Sequence, residues 1–111
     1  MNDEFVYTGK VGRDLTLREG YEAARIAGLN CLASLNAALG NLNRVERIVK
    51  VVGYVNSIPA FTEHPKVING ASELFLNIFQ EKGQHVRVAI GVSGLPGDSA
   101  VEVSLIAKLK E

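Results

Sequence analysis

The sequence predicts an α/β domain in which two helices pack on one face of a sheet, with the element order β-α-β-α-β-β. Two segments repeat apolar residues at steps of three or four, which is typical of amphipathic helices. The segments around them are rich in β-branched residues, which is typical of strands. A length of 111 residues fits one domain that spans residues 1–111.

The first predicted strand is Glu4–Lys10, and the clearest helix of the chain follows it. Thr16 and Glu19 have the spacing of a capping box, so the helix is expected to begin after Thr16. Gly40 is typical of a helix end. The apolar stripe between these two ends consists of Leu17, Tyr21, Ala24, Gly28, Leu32, Leu35 and Leu39.

The middle of the chain predicts a strand and a second helix. Arg47–Val55 is a continuous apolar and β-branched run, which favours a strand buried on both faces. The second helix is predicted over about Pro65–Lys82, because its apolar residues recur with helical spacing, and Gly83 ends it.

The segment Val86–Val103 predicts two strands joined by a tight turn at Leu95–Asp98. Val86 and its alternate neighbours are aliphatic, and the residues between them are small apart from Arg87. We therefore expect the aliphatic side to face the core, and Arg87 and Glu102 to share the other face of one hairpin. Their backbones would lie on the order of 13 Å apart. Solvent, another subunit or a ligand would cover that face.

The composition and net charge argue against several classes of function. Twelve basic and twelve acidic residues give zero net charge, which argues against general binding to nucleic acids or anionic membranes. A lone Cys31 cannot form an intrachain disulfide. No segment approaches the ~20 apolar residues of a membrane span, and the polar start does not look like a signal peptide. The expected location is the cytoplasm.

Arg87 is the first candidate for a functional residue. A guanidinium binds a carboxylate through two parallel hydrogen bonds, and Ala89 and Gly91 leave room for a small anion. The alternative is an arginine that pairs with an acid. Glu102 is of the type that activates water or donates a proton. Its alternative role is a salt bridge.

The other polar residues give weaker signals. Tyr7 either lines a cleft or packs in the core. His64 and His85 lie far apart in sequence and have no cluster of acids or cysteines nearby, so no metal site is expected. His85 is a minor candidate because it is close to Arg87. No Ser-His-Asp triad and no phosphate-binding motif is apparent.

Several blocks of the chain match one known family in order and spacing. They are Arg87–Pro96 (RVAIGVSGLP), Val101–Val103 (VEV), Val11–Thr16, Glu19–Arg25 and Lys66–Ser72. Over essentially all of its length the chain resembles the YjgF-like, or reactive-intermediate deaminase (Rid), family. The last of these blocks looks like a longer-chain subgroup of that family.

This resemblance implies a chorismate-mutase-like fold with a mixed sheet, assembled as a homotrimer with clefts between subunits. It implies hydrolysis of enamines and imines, such as 2-aminoacrylate, to 2-keto acids and ammonia without a metal or organic cofactor. The arginine at the position of Arg87 holds the substrate carboxylate, and the glutamate at the position of Glu102 handles the attacking water. At the position of Ala89, active deaminases often have cysteine.

A departure from the family pattern at the start of the chain keeps a second function open. The family usually begins with two strands that supply an aromatic residue and a Ser-Gly-Gln segment, and this chain is expected to begin after them. The alternative to a deaminase is a non-catalytic trimer that binds small carboxylates or partner proteins. An endoribonuclease, a label that some relatives carry, is the weakest reading because the net charge is zero.

Overall fold

The computed structural model describes residues 7–111 and contains two helices and three strands in this range. Helix α1 is Leu17–Leu39 and helix α2 is His64–Phe79, while strands β1, β2 and β3 are Val45–Asn56, Val86–Val92 and Val101–Leu109. The predicted fold class, with two helices and a mixed sheet, is confirmed. Neither helix is long and apolar enough to cross a membrane.

The sheet has the strand order β2-β1-β3, so the predicted hairpin is wrong. Strand β1 lies between the other two, parallel to β2 and antiparallel to β3. The segment Ser93–Ala100 carries the chain from the end of β2 past the end of β1 to the start of β3. Gly97 has a φ of 65°, as expected for a turn, but the turn belongs to this crossing.

The register places Arg87 and Glu102 on opposite faces of the sheet. Arg87 pairs with Val51, which is fully buried, and Glu102 pairs with Tyr54. Paired residues point to the same face, and residues three apart on one strand point to opposite faces. Arg87 therefore faces the helices and Glu102 faces away from them, which corrects the expectation of a shared face. The two residues are two strand spacings apart across the sheet and three residues apart along it, so their backbones lie about 14 Å from each other.

The aliphatic residues of β2 lie on the opposite face from the one predicted. Val86, Val88 and Ile90 are 65%, 41% and 43% exposed, and on β3 Ile106 is 60% exposed. We call these four residues the open face. The helices cover the small residues instead, because α2 packs very close to the sheet. A Cβ added at Gly53 would lie 2.4 Å from Ile68 Cδ1.

The two helices begin and end largely where the sequence predicted. Thr16 and Glu19 make both hydrogen bonds of the capping box, and Gly40 ends α1 with a φ of 79°. Helix α2 stops at Phe79, and a 3₁₀ turn over Gln80–Gly83 completes the span that was predicted as helix. Fully buried Ile48, Val51, Val55, Val67, Ile68, Ala71 and Phe75 form the core between helices and sheet.

Two strand predictions need correction. Glu4–Val6 lie outside the described residues, and in the rest of the predicted first strand only Thr8 forms an isolated bridge, to Ser99. Strand β1 is central, as its apolar run indicates, but it is not buried on both faces. Its Val49 is 40% exposed, and the register shifts between Ile48 and Lys50.

Candidate functional site

Arg87 is fixed by neutral partners on α2. Its Nη1 donates to Asn69 Oδ1 at 2.7 Å and to Ser72 Oγ at 3.2 Å. A guanidinium has five N–H groups, and within residues 7–111 neither Nε nor Nη2 donates to a protein acceptor. The Nε–Nη2 edge is the side of a guanidinium that can hold a carboxylate with two parallel bonds.

A second layer of hydrogen bonds holds Ser72 in place. Ser72 Oγ lies 2.9 Å from His85 Nε2, and His85 Nδ1 lies 2.6 Å from the Gly83 carbonyl oxygen. A carbonyl oxygen only accepts, so Nδ1 carries a hydrogen, and a neutral His85 then accepts the Ser72 hydroxyl at Nε2. Ser72 Oγ is thereby left as the acceptor for Arg87. The His85 ring also packs edge-on against Phe75, with 6.2 Å between the ring centroids.

The cleft beside Arg87 has a volume of about 360 Å³, which suits a small molecule. None of the ion pairs among residues 7–111 involves Arg87. The lining consists of Asn69, Ser72, Glu73, Leu76, Gln84, His85 and Arg87. An arginine fixed by neutral groups keeps its charge available for an anion in this cleft.

The acid that lines the Arg87 cleft is Glu73, and it is already engaged. The Tyr21 hydroxyl donates to Glu73 Oε1, and this hydrogen bond raises the pKa of Tyr21. Glu73 lies on the exposed side of α2 and forms no ion pair with Arg87. Among residues 7–111 it is the one acidic side chain in the lining of this cleft.

Glu102 lines a different feature of the surface. It lies with Val101 and Val103 along a groove of about 610 Å³ between β3 and α1. The groove also contains Cys31, whose thiol donates to the Val103 carbonyl at 3.2 Å. Burial raises the pKa of this thiol, as for a packed cysteine rather than a nucleophile.

Neither Tyr7 nor Ala89 lines the cleft beside Arg87. Both are half-buried and pack against the hydrophobic core. The Tyr7 carbonyl accepts from the Ala100 amide at 3.1 Å, near the start of β3. Ala89 pairs with Gly53 on the helix-facing side of the sheet, two residues along β2 from Arg87.

Sequence reasoning missed Ser72 and Glu73 around Arg87, and it named His85 only as a minor candidate. The signal was a serine within the apolar face of α2, between Ala71 and Leu74. Ser72 is only 6% exposed, and a buried hydroxyl needs a hydrogen-bond partner. Among residues 7–111 there is also no group of three His, Cys, Asp or Glu side chains that could hold a metal ion.

Comparison with known proteins identifies the family of this chain. The family model described as "YjgF/chorismate_mutase-like, putative endoribonuclease" matches residues 1–109. The chain belongs to this family. The match covers all the residues that form and surround the Arg87 cleft.

Relatives of this YjgF-like chain include one named protein and two solved structures. It is 48% identical over 103 residues to "Protein TCP17" of Trypanosoma cruzi, covering 92% of this chain and 64% of that protein. The chain thus spans less than two thirds of that relative. The structure of Atu1372 from Agrobacterium tumefaciens, titled as a protein with unknown function, has a TM-score of 0.93 and 40% identity over 95% of this chain and 68% of its own. A "putative endoribonuclease" from Shewanella oneidensis has a TM-score of 0.90 and 42% identity, over 93% and 68% of the two chains.

Proposed function

We propose that this YjgF-like protein hydrolyses enamines and imines of the 2-aminoacrylate type to 2-keto acids and ammonia. The observation that carries the proposal is the free edge of Arg87 in a cleft of about 360 Å³. A substrate with a carboxylate next to its reacting carbon would be held there by two charge-assisted bonds. Such substrates are already electrophilic, so positioning and one proton-transfer group provide much of the catalysis.

The reaction itself needs few groups. The enamine takes up a proton at carbon to become an iminium ion, and water then adds to the iminium carbon and gives up a proton. The resulting carbinolamine takes up a proton at nitrogen and expels ammonia, and its hydroxyl loses a proton to leave the keto acid. The carboxylate bound to Arg87 keeps the reacting carbon at a fixed place, and a carboxylate side chain is suited to carry the protons.

We assign the proton transfer to Glu102 of a neighbouring copy of the chain. Within one chain Arg87 and Glu102 are on opposite faces of the sheet, about 14 Å apart between backbones. A cleft between subunits of a homotrimer brings the two residues to the same substrate. This arrangement keeps both proposed residues in one site and agrees with the clefts that the family resemblance implies.

The first test compares two carboxylates. Glu102→Gln should lower kcat by about 10²–10⁴ because the proton-transfer group is lost. Glu73→Gln is the matched control, since it lines the Arg87 cleft and still accepts from Tyr21, and it should keep kcat close to wild type. Keto-acid release from imines generated in place measures both. A large loss in Glu73→Gln with an active Glu102→Gln would overturn the assignment.

The open face provides a test of the assembly. An exposed apolar row on a sheet is typical of an interface, and Ile90, at the end of the open face where Tyr54 pairs with Glu102, is 43% exposed. We expect Ile90→Asp to stay folded and to become monomeric, because a charge would be buried in the trimer. Leu29→Asp, an exposed apolar position on α1, should remain trimeric. Light scattering after size-exclusion chromatography measures the oligomeric state of both variants, and a trimeric Ile90→Asp would contradict the proposal.

A non-catalytic protein that binds small carboxylates is the second candidate. The separation of Arg87 and Glu102 favours it, because a chain that places Arg87 but not Glu102 in the cleft has the binding group without the proposed base. This candidate predicts that calorimetry detects a bound 2-keto acid, while imines hydrolyse at their spontaneous rate. The zero net charge disfavours the endoribonuclease named for the Shewanella relative, because RNA binding depends on cationic surface.

A further inference from the structure

A second cleft, distinct from the one at Arg87, lies at the carboxyl ends of β1 and β2. Its volume is about 340 Å³. It is lined by Lys10, Ser57, Ile58, Pro59, Phe61, His64 and Gly91–Ser93. In sheets with parallel strands, ligands commonly bind beyond the carboxyl ends of those strands. The two polar groups of interest are the Lys10 ammonium and the His64 ring.

The Lys10 ammonium is held by neutral acceptors and forms no ion pair with an acid among residues 7–111. Its Nζ donates to Asn56 Oδ1 at 2.9 Å and to the Ser93 carbonyl, and its backbone N–H donates to Asp14. Asn56 is fully buried, and its own amide donates to Asp98 Oδ1 at 3.1 Å. An ammonium has three hydrogens, and within residues 7–111 only two of them have acceptors. The third N–H is available to a ligand in the cleft.

His64 faces the same space from the first turn of α2. Its Nε2 lies 3.2 Å from the hydroxyl of Ser57, which is only 6% exposed, and its ring packs edge-on against Phe61. The nearest acid on this helix end, Glu63, is paired with Lys66 at 2.8 Å. No acidic side chain among residues 7–111 lines the cleft. The start of the helix adds a favourable field for an anion.

We propose that this cleft binds a small organic carboxylate with a short apolar or aromatic group, with Lys10 as its ionic partner. The carboxylate meets the free N–H of Lys10, with His64 beside it. The apolar part of the ligand packs against the side of the cleft formed by Ile58, Pro59, Phe61 and Val92. Inorganic phosphate has no apolar part, so it lacks this contact. The proposal does not depend on the Arg87 site.

Amide NMR with phenylacetate as the probe tests the site. Saturable shifts are expected at Ser57, Phe61 and Gly91, and phenylacetamide and inorganic phosphate should bind far more weakly. Lys10→Met should weaken binding by about tenfold or more through loss of a charge-assisted bond. Lys66→Met replaces a lysine close to the same helix end that does not line the cleft, so it should give wild-type shifts at these three amides. Arg87→Ala should give the same shifts there, because Arg87 lines a separate cleft.

Two further variants keep the test decisive if Lys10→Met unfolds. Lys10→Arg keeps the charge and should still bind. Gly91→Ala places a Cβ 2.3 Å from His64 Nε2, so the ring must swing away from Ser57. Since a side-chain end can move, this variant should fold and lose affinity. Equal binding of phenylacetamide, unchanged binding in both Lys10→Met and Gly91→Ala, or loss of binding in Arg87→Ala would each overturn the proposal.

Discussion

Replacing Arg87 by alanine should abolish turnover and leave the fold and the assembly intact. Two charge-assisted hydrogen bonds to the substrate carboxylate are lost, at about 1.5–3 kcal/mol each, so kcat/KM should fall by about 10²–10⁴. The fold should survive because, within residues 7–111, the Arg87 side chain donates only to Asn69 and Ser72, and both can turn to water in the cleft. A coupled assay of keto-acid release measures the loss.

Two variants accompany this measurement as controls. Arg87→Lys keeps the charge but lacks the planar fork, so its activity should lie between those of Arg87→Ala and wild type. Arg18→Ala removes an exposed arginine of α1 and should have wild-type activity. Normal turnover in Arg87→Ala would remove the central residue from the proposal.

The largest effect on stability is expected for Gly70→Ala. A Cβ at Gly70 would lie 2.1 Å from the Tyr21 carbonyl oxygen, at the crossing of α1 and α2. This contact is with backbone, so a helix has to shift, which costs about 3 kcal/mol despite the better helix propensity of alanine. Because Asn69 and Ser72 flank this position, the shift should also displace Arg87 and reduce activity.

Gly28→Ala is the matched control for this prediction. It is also a glycine at the α1–α2 contact, but its added Cβ would meet Leu74 Cδ2 at 3.2 Å, a side-chain end that can move. Urea unfolding followed by circular dichroism should show a large drop in the free energy of unfolding for Gly70→Ala and little change for Gly28→Ala. Equal stability of the two variants would contradict the close helix crossing.

The helices were predictable from the sequence because their signals are local. The capping box at Thr16, the stop at Gly40 and the 3.6-residue period all act within one element. The strand β1 was predictable for the same reason, from its run of β-branched residues. Its neighbours in the sheet were not, because strand pairing depends on the path of the segment after Val92.

The error at β2 has a physical reason that the alternating pattern does not contain. Large aliphatic side chains usually face a core, so the pattern predicts that Val86, Val88 and Ile90 face it. In this fold α2 packs so close to the sheet that the residues of β2 beneath it, Ala89 and Gly91, are small. The candidate Arg87 was found from the sequence, whereas its contact with Ser72 was not, since it joins elements 15 residues apart.

We propose that one cleft contains Arg87 of one subunit and Glu102 of the next. The direct test mixes Arg87→Ala and Glu102→Gln chains in the same oligomers and measures imine hydrolysis beside the wild type. Each variant alone should be inactive. Random mixing should restore intact clefts at about a quarter of the positions, because a cleft needs one intact residue from each of two neighbours. A mixture as inactive as its parents, beside an active wild type, would contradict the shared cleft.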